Sequence, residues 1–253
     1  MTALSRIRIV LVEPSHPGNI GASARAMKTM GLNRLVLVNP RRFPDPDANA
    51  RASRADDLLD RAQVVADLPA GLSGCQLVIG ASARPRHLEW PTLAVRAAVR
   101  RLLDEAHTGE VALVFGREQS GLTNEELARC HFLTHLETHP DYSSLNLAAA
   151  VQVFAHELRM ASLEALPCSA PDPDTQTPAP AEALERFHRH LAEALFELEF
   201  CQPWQCRKLL RRLRRLFNRA RPDAVEIQIL RGILTLAQRW RRISGKPAAP
   251  ADP

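Results

Sequence analysis

Three short stretches combine residue types that chemistry uses. The first, "PGNIGASARAMKTMG" (residues 17–31), holds Gly18 and Gly21 in a G-x-x-G loop, with Arg25 one turn into the helix behind it. Glycines here permit unusual dihedrals or close backbone approach, and Asn19 and Gly31 suit the two ends of the helix. A cation near a helix start is disfavoured by the macrodipole, so Arg25 is either an ordinary solvent-facing arginine or a group that grips a phosphate. The second stretch, "LVFGREQSGLTNEEL" (residues 113–127), brackets Arg117 and Glu118 between Gly116 and Gly121. Thr123 and Glu126 form a capping box that explains the turn. They leave Arg117 and Glu118 as either a surface ion pair or contacts to a ligand. In the third, "YSSLNLAAAVQVFAHE" (residues 142–157), Ser143 or Ser144 caps a helix whose first turns hold Asn146 and the small run Ala148, Ala149 and Ala150. Tyr142 is the only tyrosine of the chain.

These loops need a scaffold, and the pattern around them supplies one. Short β-branched runs recur at 7–12, 35–38, 76–79, 111–115 and 131–136, separated by helical stretches near 20–30, 53–62, 92–106, 124–130 and 145–166. Strands apolar throughout and alternating with helices predict an α/β fold with a mostly parallel sheet covered on both faces. In such sheets, ligands bind beyond the carboxyl ends of the strands. A dinucleotide site would want G-x-G-x-x-G and an acidic residue closing the second strand, but that strand ends in Asn39-Pro40. A nucleotide-dependent oxidoreductase is therefore disfavoured.

Residues 1–166 form the first domain in this reading. Residues 167–181, "PCSAPDPDTQTPAPA", have no hydrophobic period and read as an extended linker. Residues 182–246 then read as three helices, near 182–200, 204–219 and 222–241. Residues 1–181 carry 18 Lys and Arg against 20 Asp and Glu, whereas residues 182–246 carry 15 against 7. On the middle helix, Leu209, Leu213, Leu216 and Phe217 share one side, and Lys208, Arg211, Arg212, Arg215 and Arg219 fill much of the rest. Such a helix suits a polyanion, with a membrane surface as the rival. No apolar run approaches the ~20 residues of a membrane span, and the N-terminus lacks a signal peptide's apolar core. The five cysteines form no C-x-x-C pair, so neither a disulfide framework nor a zinc site is expected, and a reducing cytoplasm is. No His, Cys and carboxylate cluster asks for a metal.

As a set and in this order, the three stretches resemble the motifs of the SPOUT-class RNA ribose 2′-O-methyltransferases. The branch most similar is the one that methylates cytidine or uridine at position 32 of the tRNA anticodon loop. "KLLRRLRRLFNRARP" and "LRGIL" extend the resemblance through the tail. It implies an α/β domain with a C-terminal trefoil knot, acting as a homodimer, followed by a small basic helical domain that binds tRNA. It implies S-adenosylmethionine as cofactor, held by Ala81, Ser82, Ala83, Gly116, Leu136, Ser143, Ser144, Leu145 and Asn146. Arg25, Ser144 and Tyr142 would be catalytic. Asn19, Arg25, Arg117 and Glu118, with the five basic residues of the tail helix, would meet the RNA. A ribosomal RNA target and a non-catalytic RNA-binding protein on the same scaffold are the alternatives.

Overall fold

The structure is a computed structural model that describes residues 3–82, 90–139, 141, 145–164, 178–201 and 203–244. The chain divides into two compact units, Met1–Thr175 and Gln176–Pro253.

In the first unit, a 3₁₀ turn at Ala3–Arg6 leads into β1 (Ile7–Val12), α1 (Pro17–Thr29), β2 (Arg34–Val38), α2 (Pro46–Ala52), α3 (Asp56–Asp60), β3 (Gln63–Val65) and α4 (Leu68–Leu72). There follow β4 (Cys75–Ala81), β5 (Thr92–Leu93), α5 (Val95–Ala106), β6 (Glu110–Phe115), α6 (Asn124–Leu127), β7 (Phe132–Thr134) and α7 (Leu147–Glu164). The strands form one seven-stranded sheet in the order β3-β2-β1-β6-β4-β7-β5, and every pairing is parallel. Their apolar runs bury both faces: Ile7, Ile9, Leu11, Leu37, Leu77, Ile79 and Leu113 on one side and Val10, Val78, Ala112 and Val114 on the other are inaccessible to solvent.

Register matters most for function. Leu11 pairs with Phe115, Phe115 with Ala81, and Ala81 with Thr134, so four strands end in one row. The loops that leave this row are those the sequence marks for chemistry. Beneath it, Ile20, Ala24 and Met27 of α1 and Val151, Phe154 and Leu158 of α7 join one hydrophobic core. The Phe154 ring meets Phe115 edge-on at 5.6 Å, a favoured aromatic geometry.

Several elements depart from the sequence expectation. Thr92–Leu93 is a strand rather than a helix start, because it pairs with β7 at the sheet edge, a non-local contact. Between β2 and β4 the sequence showed one helix at 53–62, whereas the chain builds three short helices and an edge strand. Two of those helices carry readable starts. Asp45 caps α2 and Asp67 caps α4, each with proline in the first turn.

The second unit holds α8 (Ala181–Glu197), α9 (Pro203–Ala220) and α10 (Ala224–Ser244). Leu184, Phe187 and Leu191 of α8 pack with Leu213 and Phe217 of α9 and Ile227, Leu230 and Leu234 of α10. Leu216, expected on the packed side of α9, is exposed. Arg214 pairs with Glu185 at 2.7 Å. Lys208, Arg211, Arg212, Arg215 and Arg219 make no ion pair or side-chain hydrogen bond with described residues. One cysteine pair corrects the sequence reading: Cys201 and Cys206 are joined across the turn into α9, with Cα atoms 5.5 Å apart. A search for C-x-x-C spacing does not find a pair five residues apart.

Candidate active site

The first loop begins where Glu13 turns the chain off β1 with φ +46°, its N–H donating to the Val38 carbonyl at 2.8 Å. The helix then starts earlier than expected. Pro17 occupies its first turn and His16 the N-cap, with no side-chain cap of its own. Asn19 is therefore inside the helix rather than capping it. The missing acceptor comes from across the sheet. The Glu118 carboxylate accepts from the backbone N–H groups of Ser15 and His16, from the Ser15 hydroxyl and from the Asn19 amide, at 2.9–3.3 Å. A carboxylate at a helix N-terminus is favoured by both free N–H groups and the macrodipole.

Gly21 has a structural use. A Cβ there would lie 1.9 Å from the Ala48 carbonyl oxygen, so its absence lets α1 and α2 touch backbone to backbone. Arg25 lies on the opposite side of α1 from the buried Ile20, Ala24 and Met27, and its side chain is exposed. Lys28 nearby pairs with Asp57, whereas the Arg25 guanidinium has no partner among the described residues.

In the second loop, Arg117 and Gly121 exchange backbone hydrogen bonds at 2.9 and 3.2 Å, closing a tight turn with Gly121 at φ +68°. Gly116 is sterically required, because a Cβ would stand 2.2 Å from the Gly121 carbonyl carbon. Arg117 and Glu118 do not pair with each other. The Arg117 guanidinium forks onto both oxygens of Glu13 and both of Glu126, a geometry that arginine's planar donors suit and lysine's cannot match. Glu126 also closes the expected capping box with Thr123. The hydrogen bond from Arg117 holds the Glu13 carboxyl below the usual carboxylate range. For Glu118, burial pushes the other way, but donation from Asn19, the backbone and Ser15 outweighs it and the carboxyl is also held low.

The third loop joins the network. Asn146 is the N-cap of α7, its Oδ1 accepting from the Ala148 N–H at 2.9 Å. This is the role expected of Ser143 or Ser144. Its amide nitrogen donates to Asn19 Oδ1 at 2.9 Å. Asn146, Asn19 and Glu118 thus tie the three loops side chain to side chain. Tyr142, Ser143, Ser144 and Ala83 lie outside the described residues.

A cleft opens beyond the carboxyl ends of β4, β6 and β7. Ala81, Ser82, Gly116, Leu136 and Leu145, all expected at the cofactor, line it, as do Arg117 and Glu118. Asn146 turns to α7 and Asn19 instead, and neither it nor Arg25 lines the cleft. Sequence reasoning missed Phe115, Gln119, Ser120, Thr138 and Phe154 of its wall. Position alone flags two of them, since Phe115 closes β6 beside Gly116 and Ser120 precedes Gly121. No group of three or more His, Cys, Asp and Glu among the described residues could hold a metal.

Comparison with known proteins fits this geometry. Residues 6–156, more than half of the chain, match the model of the SpoU rRNA Methylase family. The chain belongs to that family. Residues 182–248 further match the C-terminal domain of the tRNA methyltransferase TrmJ. The tRNA (cytidine/uridine-2′-O-)-methyltransferase TrmJ of Pectobacterium atrosepticum is 50% identical over 237 residues, 93% of this chain and 98% of the relative. The Pseudomonas aeruginosa relative, named as acting on cytidine, uridine and adenosine, is 49% identical over 94% of this chain and 96% of its own. Among solved structures, TrmJ from Z. mobilis ZM4 aligns with a TM-score of 0.80 at 32% identity, covering 90% of this chain and 97% of that one.

Proposed function

We propose that this protein transfers a methyl group from S-adenosylmethionine to the ribose 2′-hydroxyl of cytidine or uridine at position 32 of the tRNA anticodon loop. The observation that carries the reading is the cleft at the ends of β4, β6 and β7, lined by the second and third motif loops and by Ala81 and Ser82, with the first motif loop tied to its rim through Glu118 and Asn146. Its residues suit such a cofactor: Leu136, Leu145 and Phe154 offer apolar walls, and the turn at 116–121 offers backbone polar groups. The relatives named above extend along nearly the whole chain, which supports tRNA over ribosomal RNA as the substrate.

The cofactor supplies an electrophilic methyl on a sulfonium, activated before the protein acts. The chain's own residues must place the 2′-oxygen in line with it, exclude water and let the hydroxyl proton leave. Arg25 is no base, because a guanidinium stays protonated at any relevant pH. Its exposed position, with no partner among the described residues, suits gripping a phosphate beside the target and stabilising the oxyanion that develops. Ser144, with Tyr142 in the same motif, orients the hydroxyl or relays its proton. A C-terminal trefoil knot in the α/β domain, a homodimeric enzyme and a cytoplasmic setting complete the proposal. The five cations of α9 that are unpaired among the described residues give the tail its tRNA affinity, with the salt dependence that phosphate contacts impose.

The test is methyl transfer from labelled S-adenosylmethionine to unmodified tRNA, with the product mapped by nucleotide. Label on one anticodon-loop ribose is expected, and label on ribosomal RNA alone would reassign the substrate. Arg25→Ala should melt within about 1 °C of the parent, as partnerless surface side chains do. Its single-turnover rate should fall ~10²–10³-fold, as when an oxyanion donor is removed. Arg25→Lys should recover little, and a near-parental rate would count against the planar fork.

A further inference from the structure

Helix α10 carries a second face that the proposed reaction does not use. One side packs Ile227, Leu230 and Leu234 into its unit's core. The other leaves Val225, Ile229, Ile233, Leu236, Trp240 and Ile243 each 58–74% exposed. A helix buried on one side ordinarily turns polar residues to water on the other. From Ile229 the apolar spacing runs four, three, four, three, the alternation of a coiled-coil seam.

Area indicates how large the occupant must be. At ordinary whole-residue areas these six side chains expose about 800 Å², above the ~300–600 Å² of the largest patch on a typical monomer. Two copies facing each other would bury on the order of 1,600 Å², the size of a specific interface. Gly232 lies along the same stripe, and a Cβ added there would meet nothing within 4 Å. A glycine in mid-helix weakens the helix, but here it lets a second backbone come close. The chain's own proline-rich stretches at 165–177 and 245–253 have no apolar periodicity with which to cover the stripe.

We propose that α10 is covered by α10 of a second copy of this chain, the two helices packed antiparallel. Arg239 stands near the C-terminal end of the helix, where Arg241 and Arg242 pair with Glu199 and Glu197 of the same unit. Antiparallel packing keeps the two Arg239 charges apart and opposes the helix dipoles, whereas a parallel pair would bring both Arg239 charges and both helix dipoles side by side. The inference is independent of the methyltransferase reading.

Cysteine crosslinking in the full-length chain tests it. Ile233→Cys and Leu236→Cys sit in the seam near its middle, and Arg231→Cys is an exposed control on the same helix outside the stripe. Under mild oxidation, at least one seam variant should reach doubled mass at least tenfold faster than the control, with the parent chain as background. Adding Ile229→Glu and Trp240→Glu should abolish that crosslink while circular dichroism shows the helices retained. Equal rates at seam and control positions would overturn the proposal. So would a crosslink that survives the two glutamates, or stripe-dependent binding to phosphatidylglycerol vesicles without any crosslink, which would assign the face to a membrane surface.

Discussion

Replacing Glu118 by alanine tests whether the three loops act as one unit. Its carboxylate serves two backbone N–H groups at the start of α1, the Ser15 hydroxyl and the Asn19 amide, all at 2.9–3.3 Å. Truncation leaves these donors without an acceptor at a helix terminus that has no side-chain cap of its own. Hydrogen bonds to a charged group contribute roughly 1.5–3 kcal/mol each. The four donors share one charge at a half-buried position that water can enter, so the total is about 3 kcal/mol rather than their sum. In a domain of this size each kcal/mol moves the melting temperature by about 2–4 °C, which predicts a fall of roughly 6–12 °C. Glu118→Gln should lose about half as much, because one amide oxygen still accepts while the amide nitrogen faces other donors. The loss should be local first. Amide hydrogen exchange at residues 15–20 should accelerate, and methyl transfer should fall at least tenfold at temperatures where the chain is still folded. Differential scanning fluorimetry and exchange mass spectrometry read both. Melting within 1 °C of the parent, with unchanged exchange at 15–20, would refute the reasoning. If tRNA affinity alone fell, Glu118 would instead be meeting RNA.

Two glycines of the second loop should separate sterics from conformation. Gly116→Ala forces a Cβ to 2.2 Å from backbone, and should cut S-adenosylmethionine affinity more than tenfold by calorimetry. Gly121→Ala meets nothing within 4 Å but holds φ +68°, so it should cost about 1 kcal/mol of stability and leave affinity within twofold. Acid should loosen the same loops. The Glu13 and Glu118 carboxyls are held below their ordinary value in the folded state, so the unfolded chain binds more protons at low pH. Their contribution is present above the unfolded value of about 4.3 and disappears as pH falls through the lower folded values. Melting temperature should therefore drop between about pH 5 and 3, less steeply in Glu118→Gln, and an equal slope in both would contradict the assignment.

What could be read from the sequence, and what could not, follows from the range of the interactions. The alternation of apolar runs and amphipathic helices announces a parallel sheet because each signal is local. The strand-end loops announce a site because glycines, polar residues and helix caps gather there. Pairing across loops leaves no such trace. Arg117 and Glu118 are neighbours in sequence and suggest a pair, yet each finds its partner in the first loop about a hundred residues away. Both caps were displaced for a similar reason. Pro17 starts α1 ahead of Asn19, and Asn146 is nearer the start of α7 than either serine. Asn19 and Asn146 then bond to each other.

The G-x-x-G of the first loop shows the same limit. Its likeness to a nucleotide-binding loop is real at the level of physics, since both need a backbone that something can approach closely. At Gly21 the approaching group is the Ala48 carbonyl of α2, not a ligand. The helix is therefore held on one side by a neighbour's backbone and at its start by Glu118, which leaves Arg25 exposed on a fixed support. If that support is what makes Arg25 effective, Glu118→Ala and Arg25→Ala should lower methyl transfer less than additively in a double-mutant cycle. Full additivity would mean that the two residues act independently.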